Sequence, residues 1–283
     1  MILIADSGST KTEWILVSGN EPPRKIRSGG LNPYFLDEVQ IAEIVSREVC
    51  ASFQEHANVK QIFFYGAGCG TPEKCKIIHD GLRIHFEEAA IEVHSDLFGA
   101  ARALCKRSNG LVGILGTGSN SGFYNGESII SKVPSLGYIL GDEGSGAYIG
   151  KKILRDYLYA EMPAKLYSDF EKEYAIGKGE ILEKIYRRPL ANRYIASFAS
   201  FAGKHKSEKY IQDLLGKSFR KYFARTIMKY PEHSMYPVHF TGSIAWNFSE
   251  LLKKTGEGLG LKIGTITENP LEGLIEFHSR SAK

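Results

Sequence analysis

The chain has 283 residues, enough for about two domains, and 43% of them are hydrophobic, 11% aromatic and 24% charged. That composition belongs to a folded globular protein and excludes a disordered chain, a collagen-like repeat and a disulfide miniprotein. The net charge of +4 is too small to define a partner by itself.

The first residues, Met1 to Ala5, are apolar and read as a buried strand. They carry no basic leader before Asp6 of the kind a signal peptide needs. No run approaches the ~18 apolar residues of a membrane span. The four cysteines, Cys50, Cys69, Cys75 and Cys105, are too few and too scattered for a disulfide framework. A reduced, cytoplasmic enzyme without a membrane partner is the expectation.

In chain order, Ile2–Ala5 and Trp14–Val17 are short apolar runs around a Gly/Ser/Thr turn, which predicts a hairpin. Arg24–Ser28 is a third strand. From Asp37 to His56, apolar residues at Val39, Ala42, Val45, Val49 and Phe53 recur at three and four, the stripe of a helix. Ile62–Tyr65 is a buried strand ending in Gly66-Ala67-Gly68, and Pro72 opens a helix to about Glu88. Ile91–His94 is a strand, and Leu97–Lys106 a helix.

The same order then begins again. Strands over Leu111–Leu115, Ser121–Tyr124 and Ile129–Val133 are followed by a long helical stretch from Gly144 to Tyr230. Val238–Thr241, a helix from Ile244, a strand over Leu261–Thr267 and a helix after Pro270 complete the second round. The chain is thus read as a duplicated βββαβαβα unit, divided into 1–107 and 108–283, with a helical insertion at about 144–230.

That insertion is basic, with 18 basic against 9 acidic residues between Lys151 and Tyr230. A basic, aromatic helical segment such as Phe219 to Arg225 is compatible with nucleic-acid binding. However, Ile211, Leu214, Leu215, Phe219, Tyr222, Phe223 and Ile227 form a helical stripe with a core to fill. A solvated lysine face is the preferred reading, and no nucleic-acid partner is expected.

The glycine-rich stretches fail the common nucleotide fingerprints. Ser145 to Lys152 lacks the first glycine and the final Ser/Thr of a P-loop, and neither Gly66-Ala67-Gly68 nor Gly116-Thr117-Gly118 is completed to G-x-G-x-x-G. Two Gly/Ser/Thr turns remain, Asp6-Ser7-Gly8-Ser9-Thr10-Lys11-Thr12 and Gly116-Thr117-Gly118-Ser119-Asn120. Either alone serves as an ordinary tight hairpin. Both stand at the same place in two copies, and turns of this kind present backbone N–H groups and hydroxyls to phosphate. Asp6, at a strand end, suits Mg²⁺ through water. Asp96 begins a helix, where an acid also serves as a cap. Gly141-Asp142-Glu143-Gly144-Ser145 places two carboxylates among glycines at another helix start.

Together with Thr241-Gly242-Ser243, these motifs resemble the N-acetylglucosamine kinases and BadF-type ATPases. Those families belong to the superfamily of hexokinase, actin and the heat-shock chaperone ATPases. The resemblance spans Asp6 to about Gly273, and GTGSN followed some 20 residues later by GDEGS is its specific part. It implies an α/β protein of two RNase-H-like domains closing on ATP and an amino sugar, with the last helix, from Leu271, packing back on the first domain. In its terms ATP is held by Gly8, Ser9, Thr10, Lys11, Thr117, Gly118, Gly242 and Ser243, and Asp6 sits by Mg²⁺. Asp96 is the catalytic base, and Asn32, Asn120 and Asp142 contact the sugar. Leu136 departs from the tryptophan that relatives carry six residues before the GDEGS aspartate, so the identity of the sugar stays open, as does a homodimer. Two alternatives stand beside the kinase. One is an ATPase activating a 2-hydroxyacyl-CoA dehydratase, with Cys69 and Cys75 as cluster ligands; the bland reading of these cysteines is small core residues. The other is a nucleotide- or sugar-binding protein without turnover.

Overall fold

The computed structural model describes residues 1–8, 10–19, 21–53 and 56–280. It forms two compact units, one of Met1–Arg107 with the chain from Pro270 onward, the other of Ser108–Asn269.

The first unit is built on strands β1 (Ile2–Ser7), β2 (Lys11–Val17), β3 (Arg24–Gly29), β4 (Gln61–Gly66) and β5 (Ala90–Ser95), in the order β3-β2-β1-β4-β5. β1 and β2 pair antiparallel, while β1, β4 and β5 run parallel. The apolar runs of β1 and β4 are continuous because both faces of a central strand are covered. On one face Leu3, Ala5, Ile62 and Phe64 pack beneath α1 (Glu38–Ile44) and α2 (Pro72–Arg83). On the other, Ile4, Phe63 and Tyr65 meet Ala103 of α3 (Asp96–Cys105).

Two helices are shorter than their stripes predict. The first opens on a capping box of Asp37 and Gln40 but passes into a wider π-type turn, Val45–Cys50. The second stops at Arg83, whose guanidinium binds the carbonyls of Glu87 and Ala89 at 2.7 and 2.8 Å and folds the chain away from the helix axis.

The second unit repeats the sheet with β6 (Asn109–Leu115), β7 (Ser119–Asn125), β8 (Ile129–Ser131), β9 (Val238–Thr241) and β10 (Ile263–Thr267), in the order β10-β9-β6-β7-β8. Read from its other edge, this is the order of the first sheet. Between β8 and β9 lie α4 (Gly137–Leu140), α5 (Gly146–Leu158), α6 (Ala164–Tyr174), α7 (Lys178–Tyr186), α8 (Ala191–Ser197), α9 (Ala199–Lys204) and α10 (Lys209–Arg225). The stripe read along α10 is its buried face: Ile211, Leu215, Phe219, Tyr222 and Phe223 join the core, with Leu214 packed at its margin. The helix expected from Ile244 is two, α11 (Ser243–Asn247) and α12 (Ser249–Glu257), meeting at Phe248. The fold class is therefore α/β, with two mixed five-stranded sheets.

The last helix, α13 (Leu271–Arg280), lies against α3 in the first unit. A Cβ at Gly273 would stand 2.4 Å from the Ala103 carbonyl oxygen, so glycine permits the close approach. His278 is buried, stacks on Phe63 at 3.7 Å and shares a 2.8 Å bond with the Tyr65 hydroxyl. Among the described residues no helix is long and apolar enough to cross a membrane.

Candidate active site

In the first unit, Asp6 lies near the end of β1, and Gly8 and Thr10 lie between β1 and β2. The Gly8 amide donates to the Lys11 carbonyl at 2.9 Å, and the Gly30 amide to that of Thr10 at 3.0 Å. The Ser7 and Thr12 hydroxyls, 2.7 Å apart, both reach the Leu31 amide. This web ties the turn to the loop that carries Asn32. Asn32 is buried, its Oδ1 accepting from the Tyr34 amide at 3.0 Å. A Cβ at Gly68 would lie 2.6 Å from the same oxygen, so the Gly66–Gly68 turn closes on Asn32. Thr10 is exposed, Lys11 pairs with Glu13 at 3.0 Å, and the expectation for Ser9 lies outside the described residues.

Asp96 is the first residue of α3, and the cap is its neighbour: Ser95 Oγ accepts from the Phe98 amide at 3.3 Å. Helix capping therefore does not account for Asp96, whose Oδ1 accepts from the adjacent Leu97 amide at 2.8 Å. Asp6 is half-buried, and its carboxyl is raised to about 7 by burial first, then by the charges of Asp96 and Glu13, with Lys11 opposing. Two strand ends thus bring Asp6 and Asp96 close enough to feel each other's charge. Of two crowded carboxylates one keeps its proton to higher pH, and a cation beside them favours the charged form. Mg²⁺ fits this arrangement, because it takes one or two carboxylates together with water and phosphate oxygens. Among the described residues no group of three or more His, Cys, Asp or Glu forms a complete metal cage.

In the second unit, Thr117, Gly118, Asn120, Asp142 and Gly242 converge on the β6–β7 turn. Gly242 has φ +115°, and a Cβ there would lie 2.4 Å from the Leu115 carbonyl oxygen, so this position requires glycine. The Gly116 and Thr117 carbonyls accept from Gly146 and Ala147 at 2.8 and 3.0 Å, fixing the turn to the start of α5. Among the described residues the amides of Thr117 and Gly118 make no internal hydrogen bond, the condition for an anion nest. Ser243 is exposed at the start of α11.

Asp142 adopts φ +57°, and its Oδ1 accepts from the Ser119 amide at 3.3 Å. Burial raises its carboxyl first, Glu143 adds to this, and the Ser119 bond and Lys151 act against it. Asp142 and Asn120 line a cavity of about 310 Å³ with Leu136, Leu140, Pro134 and Ser135. Leu136 is 58% exposed at its rim, where it offers an apolar wall without a stacking face. Glu143, Arg225, Thr226 and Lys229 also line the cavity and were absent from the expected sugar contacts. Their one sequence signal is Glu143 beside Asp142; the other three lie some 80 residues away, on what reads as a solvated basic face.

Cys69 is buried and Cys75 half-buried, with the Cys75 thiol donating to the Cys69 carbonyl at 3.6 Å. Burial drives both thiols above their ordinary value. They pack as small apolar side chains, the bland reading given above.

Two like-built α/β sheets, each bearing a glycine turn between its first two strands, define the ATPase superfamily of hexokinase, actin and the chaperone ATPases. Within it, a structure from Porphyromonas gingivalis assigned as an N-acetylglucosamine kinase matches with a TM-score of 0.96 and 38% identity over 100% of both chains. The chain belongs to that N-acetylglucosamine kinase-like family. A Chromobacterium violaceum structure, also assigned as an N-acetylglucosamine kinase, matches with a TM-score of 0.76 and 16% identity over 98% of each chain. A ROK family glucokinase from Streptomyces griseus, in complex with glucose and AMPPNP, gives 0.58 and 13% over 99% of this chain and 98% of that one. These two share the fold. Comparison with protein-family models gives no match, and comparison with curated proteins gives none.

Proposed function

We propose that the protein is an ATP-dependent sugar kinase that phosphorylates a hydroxyl of N-acetylglucosamine or a related hexosamine. The full-length identity of 38% to a protein assigned as an N-acetylglucosamine kinase carries this reading. Asp96 supports it from the residues upward: a carboxylate at a strand end whose helix is capped by Ser95.

Asp96 accepts the proton of the sugar hydroxyl as it attacks the γ-phosphorus of ATP. The amides and hydroxyls of Gly8, Ser9, Thr10, Thr117 and Gly118 take up charge on the phosphate oxygens, with Lys11 as an added cation. Gly242 and Ser243 support the adenosine end. Asp6 would hold Mg²⁺, which when bound neutralises charge on the phosphates. Asn32, Asn120 and Asp142 hold sugar hydroxyls by hydrogen bonds, which discriminate strongly against sugars that lack the partner group.

The test is ADP release by the full chain with ATP and Mg²⁺ over a panel of N-acetylglucosamine, glucosamine, N-acetylmannosamine, N-acetylmuramate and glucose. Sugar-dependent release with at least one hexosamine is expected. Release that no sugar stimulates would overturn the reading and leave a nucleotide-binding protein or an ATPase activator.

A further inference from the structure

We propose that Arg225 is the positioning residue of the cavity in the second unit. Through Glu143 it holds the turn that carries Asp142, and so sets the affinity of the cavity for the sugar and its response to pH. The sugar as ligand rests on the function proposed above.

One stripe of α10 and the turn after it ties the cavity walls together. Ser218 Oγ accepts from the Gly144 amide at 3.2 Å. Tyr222 backs Gly144, where a Cβ would lie 3.0 Å from its own, and its hydroxyl donates to the Asn120 carbonyl at 3.3 Å. Arg225, one turn further on, donates to Glu143. The Tyr230 hydroxyl then accepts from the Val133 amide at 2.8 Å and meets Ser121 Oγ at 2.9 Å. Residues 119–121, 133–136 and 141–143, which form most of the lining, are each held or flanked from this one stripe.

Among these ties the Arg225–Glu143 pair is the charged one. Glu143 is only 6% exposed, and a carboxylate taken out of water is costly unless paired. Asp142 stands in the left-handed region, a conformation that persists only where its surroundings impose it. The charged and polar groups acting on Asp142 are Glu143 on its own turn, the Ser119 amide at the start of β7 and Lys151 of α5, and Arg225 and Lys229 line the same cavity. Without Arg225, the charge of Glu143 would act on Asp142 uncompensated, and the turn would lose its hold on α10. Arg225 itself need not touch the sugar.

The test compares the full wild-type chain with Arg225→Gln, Arg225→Lys and the double variant Glu143→Gln/Arg225→Gln. The Asp142 carboxyl is titrated by carbon-13 NMR, and KM for N-acetylglucosamine, KM for ATP and melting temperature are measured alongside. In Arg225→Gln the Asp142 titration should move up by about 0.5–1 pH unit, as a like charge loses its counter-ion. KM for the sugar should rise by on the order of tenfold from misplacement of its contacts, with KM for ATP little changed. Arg225→Lys should recover most of both effects, and the double variant should return the titration toward wild type. An unmoved Asp142 titration in Arg225→Gln overturns the proposal. So does an equal rise of both KM values with a lower melting temperature, which is the mark of a merely structural residue. If the wild type phosphorylates no sugar, the kinase reading falls by itself, and the NMR titration, which needs no substrate, still decides whether Arg225 governs Asp142.

Discussion

At the scale of single residues, chemistry follows from which neighbour takes the structural duty. An aspartate at a helix start is ordinarily explained by capping, but Ser95 caps α3, so capping does not explain Asp96. Asp96→Asn should lower kcat by on the order of 10²–10⁴ with ATP affinity near normal, since it removes a base and little else. Turnover close to wild type would refute the assignment. Asp6 gives a prediction of opposite character. Its folded carboxyl is raised to about 7, above its ordinary value of 3.8, so the folded state holds a proton that the unfolded state releases as pH rises. Its favourable contribution is complete below about pH 4 and disappears through pH 7. Asp6→Asn should therefore stabilise the protein without Mg²⁺ by on the order of 1–3 kcal/mol at pH 8, the full shift being discounted for partial exposure, and by nearly nothing at pH 4. Melting curves at the two pH values check this. An equal change at both would show that the Asp6 carboxylate is not desolvated.

At the scale of elements, strands were more legible than helix ends, and the loops holding the candidate contacts more than the walls around them. The apolar run Ile62–Tyr65 is bounded by Gln61 and Gly66, and the run ending at Ala5 is closed by Asp6, so these strand ends are written locally. No such boundary ends the helix after Asp37, where periodicity continues to Phe53 while the backbone has widened into a π-type turn by Val45. The Asp142 turn was visible as carboxylates among glycines. Arg225 and Lys229 were not, because a basic residue on an amphipathic helix looks the same whether it faces water or a cavity assembled by the fold. The glycine turns can be tested directly. Gly242→Ala forces a Cβ to within 2.4 Å of the Leu115 carbonyl oxygen, in a conformation alanine disfavours. It should cost roughly 2–4 kcal/mol, measured by denaturant melts, with a raised KM for ATP in the fraction that folds. Thr117→Val keeps the backbone and deletes one hydroxyl. The loss of about 0.5–1.5 kcal/mol predicts a roughly two- to tenfold lower kcat/KM for ATP with unchanged melting. If Thr117→Val is silent and Gly242→Ala damages folding alone, the phosphate role of this turn fails.

At the scale of the whole molecule, the chain visits the first unit, leaves it for the second and returns as α13, so the first core is completed by residues far along the chain from its strands. The return is sealed by a polar group in an apolar setting. His278 is buried beside Phe63 and Tyr65, and Arg102 donates to the same Tyr65 hydroxyl at 2.8 Å. Burial, then the charges of Arg102 and His94, lower the imidazole to about 4 from its ordinary 6.5. The unfolded chain binds this proton more readily, so docking of α13 is favoured above pH 6.5 and loses at most about 3 kcal/mol as pH falls to 4. This runs opposite to Asp6 in the same unit. Proton NMR should find the His278 ring titrating near pH 4 in the intact chain. Gly273→Val, which drives a side chain into the Ala103 carbonyl, should return that titration toward 6.5. It should also lower hydrogen-exchange protection in β4 and α3 while leaving β6 and β9 protected. A wild-type His278 that titrates near 6.5 would mean that the helix spends its time undocked. Loss of protection in β6 and β9 to the same degree would mean that α13 supports both units rather than the first.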